Sequence, residues 1–233
     1  MRGEIRVVED PAGEAAERLA EVGREGGHIA LSGGSTPRDA YERASAMDVD
    51  WSGATFWFGD DRCVPPDDQH SNYRMFKEAF LDRLDGEPPT VHRIPGERGP
   101  NAAAEDYERE LRESLGEQVP RLDLVLLGLG PDAHTASLFP GADALNETGR
   151  VAVGVQNAGM EPYVPRVTLT VPVLNAARDV LFLVTGRNKA GAVARAFADP
   201  PSPDAPASLI DPAGGSMTVL VDEAAAEGIG GQR

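Results

Sequence analysis

Cysteine is almost missing from this chain. Cys63 stands alone, which excludes an intrachain disulfide and a metal cluster built on cysteines. Lysine is nearly as scarce: the basic set is arginine except for Lys77 and Lys189. Positive charge is in deficit overall, with a formal net charge of −16 over 233 residues. That balance disfavours nucleic acids and anionic membranes as partners. No apolar run approaches the roughly 18 residues of a membrane-spanning helix. The opening MRGEIRVVEDP lacks the apolar stretch of a secretory signal, so a cytoplasmic protein is expected. Aromatic residues make up only 6% of the chain, and a core must therefore be built mainly from aliphatic side chains.

Those aliphatics are plentiful, at 41% hydrophobic residues with 26 glycines and 19 prolines as punctuation. Short apolar segments alternate with amphipathic ones along the whole length. Strands are expected at residues 4–8, 28–31, 55–58, 91–94, 122–127, 151–155, 166–170, 179–184 and 217–221. Helices are expected at 11–24, 38–46, 72–84, 101–115, 186–197 and 222–227, with a short turn or helix at 172–177. The tail 228–233 reads as frayed. Strand–helix alternation of this kind marks an α/β fold with a mostly parallel sheet covered on both faces. No repeat and no long linker divides the chain, so a single domain over residues 1–233 is expected, with an irregular stretch near 156–164.

One stretch organises the rest. Residues 122–141 read LDLVLLGLGPDAHTASLFPG. The apolar run fits a strand buried on both faces. Gly128, Gly130 and Pro131 then stop it, and Asp132 and His134 follow at once. Ligands of open α/β sheets bind just beyond the carboxyl ends of strands, and a histidine there can exchange protons near neutral pH. Asp132 and His134 also suit a simple turn or helix cap.

Two further strand ends carry chemistry. Ser32-Gly33-Gly34-Ser35-Thr36-Pro37 follows the second strand. Its backbone N–H groups and the coming helix start suit an anion, although an ordinary strand-to-helix turn uses the same residues. It has neither the Gly-Lys-Ser/Thr ending of a Walker loop nor GxGxxG spacing. Asp60-Asp61-Arg62 follows the third strand and reads either as a base with an anion clamp or as a solvated turn. Cys63 reads as a packed small residue, His70 as solvated and His92 as lying on a sheet face.

The segments LSGGSTP (31–37), FWFGDDRCVPPDDQHSNYRM (56–75), LDLVLLGLGPDAHTASLFPG (122–141), PRVTLT (165–170) and the turn from Gly186 to Lys189 together resemble the 6-phosphogluconolactonase family, within the superfamily that includes glucosamine-6-phosphate deaminase. They stand in family order over nearly the whole chain. Ala133 departs from the family's usual glycine, and Asp61 from its usual glutamate. Alanine resists positive φ, so Ala133 raises a question about the loop's backbone.

The resemblance implies a Rossmann-like three-layer αβα sandwich. It implies hydrolysis of 6-phospho-D-glucono-1,5-lactone to 6-phosphogluconate, with no metal and no organic cofactor. His134 is then the expected general base, Asp132 its orienting acid, and Arg62 or a loop N–H the oxyanion donor. Asp60 would accept sugar hydroxyls or support the site. The 6-phosphate would sit on Gly33, Gly34, Ser35 and Thr36, with Arg166 and Lys189 around it. The partner is a small phosphorylated sugar lactone, and the chain is expected as a monomer or homodimer. Two rival readings remain: a deaminase-isomerase, and a sugar-phosphate sensor without catalysis. The deaminase set places a glutamate five residues after the histidine, where this chain has Phe139.

Overall fold

The computed structural model describes residues 3–116, 118–198 and 200–229; the expected frayed tail lies outside them from residue 230 onward. Its strands are β1 (Glu4–Val7), β2 (His28–Leu31), β3 (Thr55–Phe58), β4 (Asp60–Arg62), β5 (Thr90–Val91), β6 (Leu124–Leu127), β7 (Ala152–Val155), β8 (Arg166–Leu169), β9 (Asp179–Val184) and β10 (Ser216–Val221). The helices are α1 (Pro11–Arg24), α2 (Ser35–Ser45), α3 (Asn72–Ala79), α4 (Pro100–Leu115), α5 (Val171–Ala176), α6 (Ala190–Ala196) and α7 (Glu223–Ala226).

Seven strands form one sheet in the order β1-β10-β9-β6-β2-β3-β5, and every neighbouring pair is parallel. The continuous apolar runs are explained by position. All four residues of β6 and all six of β9 are buried, because both strands lie inside the sheet with cover on each side.

Alternation along β3 shows the two covering layers. Phe56 and Phe58 meet Phe76 of α3, while Trp57, pointing the other way, meets Tyr107 of α4. Tyr41 of α2 packs edge-on against Phe76. The scarce aromatics are thus gathered around one strand, where each supplies a large buried area and edge-to-face contacts.

Three departures from the sequence reading matter. Residues 60–62 are not a turn but strand β4, which joins β8 and β7 in a second, antiparallel sheet of order β4-β8-β7. Helix α3 stops at Ala79 and gives way to a single 3₁₀ turn at Leu81–Arg83. Strand β5 is only two residues long, which leaves His92 beyond it.

The topology selects the site. From β2 the chain moves outward to β3, whereas from β6 it is eventually carried to β9 on the opposite side. The connections therefore diverge between the adjacent strands β2 and β6, and a crevice opens beyond their carboxyl ends.

Away from that crevice, Trp57 lies between two histidines. Its ring stacks on His92 at 4.1 Å, and its Nε1–H donates to Nδ1 of His28 at 3.1 Å. Burial pulls the His28 imidazole below the usual histidine range, helped by nearby His92 and opposed by Asp123. A folded-state value below the unfolded one stabilises the protein above about pH 6.5 and is lost as pH falls through the folded value. Protonation also removes the acceptor of the indole N–H. Stability is expected to fall below pH 6.5 by about 1 kcal/mol from this hydrogen bond. Denaturant titrations followed by tryptophan fluorescence should show the loss, and His28→Gln should flatten it.

Candidate functional site

Three loops at the carboxyl end of the main sheet and one edge of the small sheet enclose a cavity of about 240 Å³. The loop after β2 contributes Gly33, Gly34, Ser35 and Thr36. The loop after β6 contributes His134, β4 contributes Asp60 and Arg62, β8 contributes Arg166, and the turn after β9 contributes Lys189. Asp132 stands behind His134 and holds it. The residues singled out from the sequence are therefore brought to one place.

The loop after β6 is shaped around its histidine. Asp132 Oδ1 lies 2.5 Å from His134 Nδ1 and also accepts the His134 backbone N–H at 3.2 Å. A carboxylate can only accept, so Nδ1 carries the proton and Nε2 is left as the basic nitrogen. Ala133, between them, adopts φ +68°, a region that costs an L-residue roughly 1–2 kcal/mol. Three backbone bonds hold it there: Ala133 N–H to Gly130 O, Gly130 N–H to His134 O, and Ala207 N–H to Ala133 O, at 2.9–3.0 Å. The alanine in place of glycine thus keeps the left-handed backbone. Gly130 is required by space, since a Cβ there would overlap both the imidazole and the Asp132 carboxylate.

His134 is 8% exposed. Burial pulls its imidazole below the usual histidine range, and Asp132 and Asp60 oppose that pull without reversing it. Burial raises the Asp132 carboxyl, but the hydrogen bond from His134 and its charge outweigh burial and leave it below the usual carboxylate range. At neutral pH the pair is a carboxylate beside a neutral imidazole.

The cations are anchored in an unusual way for this chain. Arg62 donates through Nη1 to the His70 carbonyl at 2.6 Å. Arg166 donates through Nη2 to the carbonyls of Met160, Glu161 and Pro162 at 3.1–3.4 Å. Lys189 donates through Nζ to the Leu129 carbonyl at 2.8 Å. None of the three has a carboxylate within ion-pair distance among the described residues, whereas surface arginines such as Arg18, Arg43 and Arg93 do. Burial lowers the pKa of both Arg166 and Lys189 from their ordinary values. The Nε atoms of Arg62 and Arg166 are buried without a partner, and the two residues sit directly opposite each other in the β4–β8 register. Helix α2 has Gly34 at its N-cap and so no side-chain cap, and its first N–H groups are left for the same space. Unspent donors and carbonyl-anchored cations make this an environment for an anion.

The other carboxylates are supports. Asp60 accepts from Ser137 Oγ at 2.6 Å, and the Asn72 amide donates to its backbone carbonyl at 2.9 Å. Asp61 accepts the N–H groups of Asn72 and Tyr73 at 2.7 and 3.1 Å and that of Arg62 at 2.8 Å. It thereby caps α3 from outside the helix. Burial pushes its carboxyl up to about 6 despite those bonds. Asn72, Ser137 and Thr185 were not singled out from the sequence as site residues. Thr185 Oγ1 lies 2.8 Å from Thr36 Oγ1 and ties the loops after β2 and β9 together. Cys63 is half-buried, with its thiol pushed up to about 11 by burial and Asp61. It is no thiolate near neutral pH.

With this geometry in hand, residues 5–219 match the model of a family described as glucosamine-6-phosphate isomerases/6-phosphogluconolactonase. The chain belongs to that family. A 6-phosphogluconolactonase of Nostoc sp. is 42% identical over 207 residues, covering 85% of this chain and 83% of the relative. One from Mycobacterium leprae is 38% identical over 232 residues, covering 92% and 93%. Among solved structures, 6-phosphogluconolactonase from Trypanosoma cruzi superposes with a TM-score of 0.87 at 30% identity, covering 98% of this chain and 97% of that one. A monomeric glucosamine-6-phosphate deaminase superposes at 0.83 with 22% identity, a likeness of fold alone.

Gly130→Ala tests the packing of the loop directly. The variant should fold with a stability loss of about 1–3 kcal/mol, while the downfield proton signal of the Asp132–His134 hydrogen bond disappears from its NMR spectrum.

Proposed function

We propose that this protein is a lactonase that hydrolyses 6-phospho-D-glucono-1,5-lactone to 6-phospho-D-gluconate, the second step of the oxidative pentose phosphate pathway, in the cytoplasm. One observation carries the reading: in a chain of this family, a neutral imidazole held by a carboxylate shares a single cavity with three cations that, among the described residues, have no carboxylate within ion-pair distance. No helix among the described residues is long and apolar enough to cross a membrane.

The lactone is an activated ester, so water is a sufficient nucleophile. His134 Nε2 takes a proton from water as its oxygen attacks the C1 carbonyl. The negative charge that develops on the carbonyl oxygen is met by Arg62 or a loop N–H, a contact typically worth about 3 kcal/mol in the transition state. Collapse of the tetrahedral intermediate breaks the bond from C1 to the ring oxygen. That oxygen takes the proton back from the imidazolium and becomes the C5 hydroxyl, and the base is regenerated. The new carboxylic acid ionises and releases one proton to solvent. Asp132 stabilises the transient imidazolium and fixes its tautomer. The 6-phosphate is held at a distance by Arg166, Lys189 and the uncapped start of α2, and binding energy gained there orients the ring.

A deaminase reading is disfavoured at Phe139, where an apolar ring cannot relay protons. A sensor without catalysis has no use for a carboxylate-oriented imidazole in the cavity.

The test is proton release after mixing the purified protein with freshly made phosphogluconolactone, corrected for spontaneous hydrolysis. Turnover is expected, with an acid limb below pH 6.5 because the base must be unprotonated, and His134→Ala should reduce kcat about 10²–10⁴-fold. A folded His134→Ala variant with full activity would falsify the assignment. Arg166→Ala should act mainly on binding, raising KM about 10–100-fold for one lost charge-assisted contact. An unchanged KM would remove Arg166 from the phosphate site.

A further inference from the structure

Phe139 does not line the catalytic cavity, yet it touches two residues that do. Its ring is 3% exposed and lies 4.6 Å from the His134 imidazole, tilted by 46°. The Arg166 guanidinium carbon sits 5.4 Å from the same ring's centroid. On a further side the irregular stretch 156–164 closes against it at Gly159, where a Cβ would come within 2.8 Å of the ring. Beyond the ring is a second hollow of about 380 Å³, bounded by Phe139, Pro140, Asp143, Gln156 and Asn157 among others. Phe139 therefore borders that outer hollow and touches the His134 imidazole as well.

We propose that Phe139 is a positioning residue: its ring seals the back of the His134 imidazole from the outer hollow and gives the Arg166 guanidinium an apolar, uncharged wall to rest on. Removing the wall opens a path for water to the imidazole. The side chain also meets the cation with a π face and not with a carboxylate. Such contact steadies a guanidinium without cancelling its charge, and that charge stays available to an anion in the cavity. Around His134 the other charged groups are Asp132 on its own loop, Asp60 on β4 and Arg166 on β8, with Lys189 near Asp132. Their sum is set by position, so the hydration of the ring is the variable that Phe139 controls. Because burial is the largest influence on the imidazole, hydrating it must raise its pKa toward 6.5.

The inference rests on the lactonase reading for its catalytic consequence, but its physical content is readable without turnover. Phe139→Leu and Phe139→Ala are compared with the unaltered protein by NMR titration of the His134 ring, by the pH profile of kcat/KM, and by competition with inorganic phosphate. Phe139→Leu keeps most of the bulk and is the variant that should fold in any case. The expected result is an upward move of the His134 titration and of the acid limb in both variants, larger in Phe139→Ala. Phosphate should bind about 3–10-fold more weakly in both. A titration and acid limb that stay in place in the folded Phe139→Leu variant, with phosphate affinity unchanged, would overturn the proposal. Absence of lactone hydrolysis in the unaltered protein would instead overturn the functional reading, leaving the titration to judge Phe139 on its own.

Discussion

The site depends on one hydrogen bond across two residues of the same loop, from His134 Nδ1 to Asp132. An acid and a histidine spaced i, i+2 in an extended segment share a face but are held about 6–7 Å apart along the chain. They meet here because Ala133 turns the chain left-handed at φ +68°. That conformation is unfavourable for alanine by roughly 1–2 kcal/mol, and the surrounding structure holds it: Ala133 is completely buried and both its N–H and its C=O are bonded. The loop also donates Thr135 Oγ1 to the Gly128 carbonyl at 2.9 Å, which closes it onto the end of β6. Local strain of this kind persists when neighbours over-determine it, and here it orients a base.

Much of this was legible before any coordinates. The run 122–127, apolar except for Asp123, reads as an interior strand, of which residues 124–127 form β6, and loops at strand ends of parallel sheets are where ligands bind. His134, Asp132 and the Gly33-Gly34 turn follow from that reasoning together with the resemblance. The second sheet was not legible. Residues 60–62 are two acids and an arginine, a composition that argues for a turn, and they form a strand only because β8 supplies partners from about a hundred residues further on. The same distance in sequence hides the pairing of Arg62 with Arg166. Asn72 was hidden for another reason: it sits at an ordinary helix start, and its role comes from carrying the amide that reaches Asp60. Such contacts are set by tertiary packing, which periodicity does not report.

Glycine spacing in the first loop has a tertiary cause too. A side chain at Gly33 would overlap the Asn72 amide, so the loop after β2 can approach α3 only because that position is bare. Asp61 holds the start of α3 from β4, and Asp60 holds Ser137 from the loop after β6. The adjacent acids thus brace different elements around the cavity, and among the described residues neither is within ion-pair distance of Arg62 or Arg166, although both charges are felt by Arg166. A solvated turn at residues 60–62 is excluded, since Asp60 and Asp61 are both buried in a strand.

The electrostatic problem posed by a chain of net charge −16 is solved by the choice of anchors. A cation paired with a carboxylate offers an anion little, since the pair is already neutral. A cation anchored by carbonyls is oriented at no loss of charge. Arg62, Arg166 and Lys189 are all of the second kind, and burial strengthens their field because less water screens it. Some acids on the exterior are paired with surface arginines, such as Asp39 with Arg43 and Glu97 with Arg93, and at more than a Debye length the uncompensated remainder is screened by salt. Global charge and the local potential of the crevice are therefore separate matters: inside it, among the described residues, the cations have no carboxylate within ion-pair distance. The same arrangement separates the two kinds of group in the site. The cations stand on β8, at the end of β4 and in the turn after β9, and the carboxylate-held imidazole stands in the loop after β6, which the strand order places between β9 and β2. The separation between those cations and the imidazole is thus set first by which strands of the sheet carry them.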